Sequence, residues 1–311
     1  MIGLRAIASY VPPRRESNLA LLERFQLEQG FVRDKIGVLE RARRDDDEGT
    51  ADMAQRALEA LLAKTGLARE RIQALVLVTQ NPDQRIPHAS PLVHRKAGLP
   101  GCCATFDVSL GCSGYVYGLS VLRGFLEANG LDHGVLLTCD PYSRIIDPAD
   151  KSTLLLFGDA ASASLLTRDA PRYAVSAGVF GTQGDTGRAL ACDADRLEMN
   201  GRAVFSFALT EASRSLDRLL EREGLGRDDI DLYAVHQGSK YIVDSLQRRM
   251  GIDPARMPFV AAGVGNTVSS SIPLLLEPVL DAAAPRRIAL CGFGVGLSVA
   301  ACLLQRAEGT P

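Results

Sequence analysis

Residues 107–114 read Asp-Val-Ser-Leu-Gly-Cys-Ser-Gly. The run that leads into them, Ala104 to Val108, has the character of a strand. The apolar positions that follow, Val116, Leu119, Leu122, Phe125 and Leu126, recur at helical spacing. The segment is therefore a strand-to-helix turn, with the helix expected from about Cys112 to Asn129. Cys112 then falls in the first helical turn, where unpaired backbone N–H groups and the positive end of the helix dipole favour thiolate over thiol. Gly111 and Gly114 permit a tight turn and the close approach of a substrate. A buried structural cysteine fits the same position.

Working outward, the pattern alternates. Strands are expected at Ala6–Val11, Ala74–Thr79, Gly134–Cys139, Thr153–Phe157, Ala161–Thr167, Tyr173–Phe180, Leu232–His236, Arg287–Leu290 and Leu297–Leu304. Helices are expected at Ser17–Gln29, Thr50–Thr65 with Gly66 as stop, Pro87–Ala97, Arg202–Glu223 with Gly224 as stop, Ser239–Met250 and Thr267–Ala282. The all-apolar run Ala74–Val78 marks a strand buried on both faces. Such alternation implies an α/β fold with helix-covered sheets. The element order repeats, so two similar halves, 1–170 and 171–311, are expected to pack as one body without a low-complexity linker.

Composition narrows the function classes. The chain has 35 basic and 37 acidic residues, a net charge of −2, so no global field points to nucleic acid or an anionic membrane. The dense charge run Arg41–Glu48 reads as a solvated loop. Apolar runs such as Leu154–Phe157 are too short to span a bilayer, and Met1–Val11 lacks the pattern of a signal peptide. The seven cysteines are odd in number and irregularly spaced, with no zinc-type cluster. A cytoplasmic location, no bound metal, no nucleic acid and no membrane are expected.

Three further places could carry chemistry. His236 ends the apolar strand beginning at Leu232 and opens His-Gln-Gly-Ser; the C-terminal end of a buried strand is a common site position in α/β proteins. A satisfied core histidine is the alternative, and His88, His94 and His133 are read as surface residues. Asn266, within Gly263-Val264-Gly265-Asn266-Thr267, can cap a turn or donate its amide to a carbonyl. The turn Gly292-Phe293-Gly294-Val295-Gly296 lacks the Lys-Ser/Thr of a phosphate loop, but its backbone N–H groups could help form an oxyanion hole.

Cys112 in DVSLGCSG, His236 in HQGS and Asn266 in GNTVSSSIP resemble the Cys-His-Asn set of the β-ketoacyl-ACP synthase III family. The likeness extends over nearly the whole chain, through Lys35-Ile36-Gly37, Phe157-Gly158-Asp159-Ala160-Ala161, Met199-Asn200-Gly201-Arg202 and the closing GFGVGLS. It implies a thiolase fold, five layers αβαβα built from two similar halves, in a homodimer.

The implied reaction loads an acyl thioester on Cys112, then condenses it with malonyl carrier protein as carbon dioxide leaves. Cys112, His236 and Asn266 would be catalytic, and the N–H groups of Cys112 and Val295 would form the oxyanion hole. Phe31, Lys35, Lys151, Met199, Phe205, Ser239 and Phe293 would meet the coenzyme A or phosphopantetheine of the substrate thioesters. Arg248 and Arg249 would dock acyl carrier protein, or complement their own helix C-terminus. No bound cofactor is implied.

The chain departs from the family pattern in several places. Phe31 stands where many members have tryptophan, Lys35 and Lys151 stand for arginines, Ile36 for a polar residue, and Ser239-Lys240 for the usual Asn. These changes favour carrier-protein delivery or an atypical donor. Transfer from Cys112 to a non-malonyl nucleophile, a non-catalytic partner subunit and a thiol hydrolase are the competing readings.

Overall fold

The computed structural model describes residues 1–193, 196–282 and 285–307. Ten strands form its main sheet: β1 (Gly3–Tyr10), β2 (Ala74–Val78), β3 (Ala104–Val108), β4 (His133–Cys139), β5 (Ala161–Thr167), β6 (Tyr173–Val175), β7 (Val179–Thr182), β8 (Leu232–Val235), β9 (Arg287–Gly294) and β10 (Ser298–Arg306). The principal helices are α1 (Thr50–Thr65), α2 (Ala89–Ala97), α3 (Gly114–Ala128), α4 (Gly201–Phe207), α5 (Ser213–Glu223), α6 (Lys240–Met250) and α7 (Ser271–Asp281).

The strand order is β8-β9-β10-β6-β1-β5-β4-β2-β3, with β7 added on β10. β2 runs parallel to both β3 and β4, and β8 runs parallel to β9. Short β6 pairs with both β1 and β10, and so joins the two halves of the sheet.

Side-chain alternation along the strands sorts the core into layers. Leu75 and Leu77 of β2, with Val135 and Leu137 of β4, face α1 and α2. Their neighbours Val76, Val78 and Leu136 face the opposite way, onto α3 and α7. The second half-sheet covers the far side of those two helices with Ala234, Ile288, Leu290, Ala300 and Cys302. It turns Tyr233, Val235, Ala289, Cys291 and Ala301 outward to α5 and α6. Helices, sheet, helices, sheet, helices: this is the five-layer thiolase fold.

Several expectations change. Ser17–Gln29 is not one helix: Asn18 is buried, its Nδ2 donating to the carbonyls of Val38 and Leu155, and a single helical turn, Leu22–Phe25, stops at Gln26 with φ 51°. Thr153–Phe157 is not a strand. Asp150 caps a helical turn, Lys151–Leu154, by accepting from the Ser152 N–H, and Phe157 makes one isolated bridge to Asn266. A short apolar run is buried either way, and periodicity cannot separate the two.

The Arg41–Glu48 run is a solvated loop only in part: Asp45, Asp46 and Asp47 are exposed in a turn, and the two ends of the run are buried. Arg41 lies in the strand Glu40–Arg43 and is 1% exposed, held by Asn18 Oδ1 at 2.7 Å and Glu16 at 3.2 Å, while Glu48 is also buried. His133 is not on the surface: it opens β4, buried, with Nδ1 2.9 Å from Thr167 Oγ1. Tyr173–Phe180 breaks into β6 and β7, and Arg202–Glu223 is α4 and α5 joined by a π-helical turn, Ala208–Ala212. The glycine-rich stretch 292–296 is mostly strand, since β9 runs to Gly294 and only the link to β10 turns.

Candidate active site

The C-terminal ends of the parallel strands of both half-sheets converge on one cavity of about 450 Å³. Cys112 reaches it from the turn after β3, His236 from the end of β8, and Asn266 from the loop bridged to Phe157. Crevices at this end of parallel strands are where α/β proteins bind ligands.

Cys112 is 3% exposed and stands two residues ahead of α3, whose first residue is Gly114. Burial, and then the charge of Asp140, pushes its thiol up to about 12; the N–H groups of Cys112 and Val295 act in the opposite direction. Desolvation thus works against the thiolate expected at a helix N-terminus, and the resting group is a thiol. Gly294 packs directly on it, because a Cβ there would sit 2.8 Å from Sγ. Below it, Ser113 Oγ lies 2.6 Å from Ser298 Oγ, which donates to the Val295 carbonyl at 2.9 Å. This chain of hydroxyls fixes the turn that carries the Val295 N–H.

The His236 N–H donates to the Cys291 carbonyl at 2.9 Å, tying the residue to β9. Its Nδ1 is 2.7 Å from Ser271 Oγ, and its ring meets Phe293 edge-on at 5.4 Å. Burial pushes the imidazole down to about 3, against a hydrogen bond to the Val268 backbone, so it is neutral at pH 7. Asn266 is held by its own backbone, donating to Leu156 and accepting from Gly158. Its Oδ1 accepts from the Val268 N–H at 2.9 Å, which leaves Nδ2 as the donor for the cavity. Val268 has φ 52°, an uncommon conformation for a β-branched residue, and its backbone serves both Asn266 and His236.

One buried group beside the site has no counterpart in the sequence reading. Asp140, at the end of β4, accepts from the Gln80 N–H at 2.7 Å and from Ser269 Oγ at 2.6 Å. Burial raises its carboxyl to about 6, against those hydrogen bonds. The signal was available: Asp140 ends an apolar strand as His236 does.

Phe31, Lys35, Lys151, Met199, Phe205, Ser239 and Phe293 all line the cavity. Phe31 is 44% exposed at its rim. Lys35 Nζ sits 4.1 Å over the ring of Tyr241, which in turn stacks on Phe205 at 5.0 Å. Ser239 spends its hydroxyl on capping α6, accepting from the Ile242 N–H. Arg248 and Arg249 are exposed at the far end of α6, outside the cavity, bonded to Ser245 and Ser213. Tyr241 and Ile242 line the cavity too, and helical phase from Ser239 could have found them. Among the described residues, no group of three or more His, Cys, Asp or Glu side chains could hold a metal, and no helix is long and apolar enough to cross a membrane.

Two family models match the chain. The model described as 3-oxoacyl-[acyl-carrier-protein (ACP)] synthase III matches residues 106–184, and its C-terminal companion matches 220–306. The chain is 30% identical over 307 residues to the beta-ketoacyl-[acyl-carrier-protein] synthase III of Bacillus pumilus, covering 97% of this chain and 98% of that one. Among solved structures, the 3-oxoacyl-(acyl carrier protein) synthase III of Pseudomonas aeruginosa aligns with a TM-score of 0.90 at 33% identity, covering 100% of this chain and 99% of that one. The Thermus thermophilus synthase III aligns with a TM-score of 0.92 at 31% identity, over 99% and 100%.

Proposed function

The chain belongs to the 3-oxoacyl-[acyl-carrier-protein] synthase III family, and from that premise we propose that it loads an acyl group on Cys112 and condenses it with a malonyl thioester. The observation that carries the proposal is the cavity shared by Cys112, His236 and Asn266, each delivered by a different element.

Acylation starts from a neutral pair, thiol and imidazole, since one is pushed up to about 12 and the other down to about 3. As Sγ bonds to the thioester carbon, His236 takes the thiol proton and passes it to the departing thiolate of the donor. The N–H groups of Cys112 and Val295 hold the oxyanion. In condensation, His236 and Asn266 Nδ2 donate to the malonyl thioester oxygen while its carboxylate leaves as carbon dioxide. The enolate carbon then bonds to the acyl carbon, and the Cys112 thiolate departs.

Lys35 and Lys151 at the cavity wall suit the phosphate of a coenzyme A or carrier-borne pantetheine thioester, with Phe31, Met199, Phe205 and Phe293 as apolar contacts. Arg248 and Arg249 are proposed to meet an acidic carrier protein. A homodimer is proposed through β3, a sheet edge whose five residues are all half-buried, with its Phe106 packed on Phe125 and with Val121 exposed on α3. Residues 1–170 are proposed as the half carrying the nucleophile, and 171–311 as the half carrying His236 and Asn266. A cytoplasmic location is supported by Cys103, Cys112, Cys139, Cys291 and Cys302, five buried cysteines outside any disulfide.

The test is product stoichiometry. With an acyl donor and malonyl carrier protein, the protein should release one carbon dioxide per β-ketoacyl product. Acyl transfer without carbon dioxide release refutes the condensation.

A further inference from the structure

His236 is flanked by two cavities. Its ring lines the acyl cavity, while Ser271, whose Oγ is 2.7 Å from His236 Nδ1, lines a second cavity of about 190 Å³. Ser271 and Thr267 are absent from the wall of the first cavity and present in the wall of the second. That second cavity reaches the surface at Val260, which is 47% exposed.

Its polar groups narrow down quickly. Gln237 is committed to the frame, with Oε1 accepting from the Val260 N–H and Nε2 donating to the Val235 carbonyl. Two hydroxyls remain. Ser271 faces the imidazole, and Thr267, only 1% exposed, has an Oγ1 without a hydrogen-bond partner among the described residues. A buried hydroxyl left unpaired is costly, and the usual remedy in a roomy polar pocket is water. At about 30 Å³ of liquid volume per molecule, the cavity has room for several.

We infer that this rear cavity binds a short chain of water, held by Thr267 and Ser271, that conducts protons between solvent and His236. The inference rests on the condensation proposed above. In acylation the thiol proton leaves with the donor thiolate, so no proton need come from solvent. In condensation the malonyl carboxylate departs as carbon dioxide and Cys112 is released as thiolate. One proton must then be taken up to restore the thiol, at the moment when product fills the front cavity. A proton entering at Val260 passes through water to Ser271 Oγ, on to Nδ1, and His236 releases its other proton from Nε2 toward Cys112. The path runs from the tautomer with its proton on Nε2, which leaves Nδ1 free to accept from Ser271 Oγ.

The test is Thr267→Val, which keeps the shape and removes the hydroxyl. Its ratio of condensation turnover to single-turnover Cys112 acylation should fall about tenfold, with a larger solvent deuterium isotope effect on condensation. A purely structural role would slow both steps and leave the isotope effect alone. An unchanged ratio and isotope effect overturn the inference while wild-type condensation stands. Absence of condensation in the wild type overturns the functional reading, and this inference with it. A high-resolution crystal structure of the wild type decides independently of any variant. Water bonded to both Thr267 Oγ1 and Ser271 Oγ supports the path, and a dry or side-chain-filled cavity refutes it.

Discussion

Gly294→Ala is the sharpest perturbation of the nucleophile's surroundings. An added Cβ would lie 2.7 Å from Cys112 Cβ and 2.8 Å from Sγ, where ordinary contacts begin at 3.4 Å. A new cysteine rotamer could move Sγ but not Cβ, so one backbone must yield by more than half an ångström. β9 is pinned between β8 and β10, with Gly294 itself paired to Ser298. The Cys112 turn therefore moves. Overpacking of this kind costs about 1–3 kcal/mol, and a displacement near 1 Å at a reacting atom costs about 10²-fold in rate.

Urea denaturation should show that loss of stability, and single-turnover acylation of Cys112 should show the loss of rate. In a Cys112→Gly background, which removes both clashing atoms, Gly294→Ala should cost almost nothing, a coupling readable in a double-mutant cycle. An equal penalty in both backgrounds, or wild-type acylation in Gly294→Ala, would refute the packing argument.

Three other outcomes follow from the same geometry. Asp140 is raised from an ordinary value near 4 to about 6, so its folded form holds a proton that the unfolded chain has lost. It therefore removes about 3 kcal/mol of stability as pH rises from about 4 through about 6, and Asp140→Asn should abolish that slope in denaturation measured against pH. The same variant removes a negative charge that opposes the Cys112 thiolate wherever Asp140 is ionised, so iodoacetamide should alkylate Cys112 faster at any fixed pH between about 7 and 9. Asn266→Ala removes a cavity donor and the acceptor for the Val268 N–H; carbon dioxide release should drop about 10²–10³-fold while the acyl adduct on Cys112 still forms, as intact mass would record.

The sequence was readable where one residue property dominates. Ala74–Val78 has no polar face, so its burial on both faces of the sheet was plain, and Gly66 and Gly224 stop their helices at positive φ as their type suggests. The strand-to-helix turn at Cys112 and the strand end at His236 were legible for the same reason. What escaped depends on distant partners. Arg41 is buried only because Asn18 and Glu16 meet it, and no local charge pattern announces that. The Cys112 thiol is raised by burial and by Asp140, both supplied by the assembled fold. Gly294 looked like part of a loop, yet its role is to let β9 pass against the nucleophile.

The central claim is that Cys112 is the covalent acyl carrier, and a pulse-chase by peptide mass spectrometry tests it most directly. Brief exposure to acyl-CoA or acyl carrier protein should add the acyl mass to the peptide containing Cys112 and to no other cysteine peptide. A chase with malonyl carrier protein should discharge it as β-ketoacyl product. An adduct absent from Cys112 with every donor, or one that malonyl carrier protein leaves in place, would contradict the account.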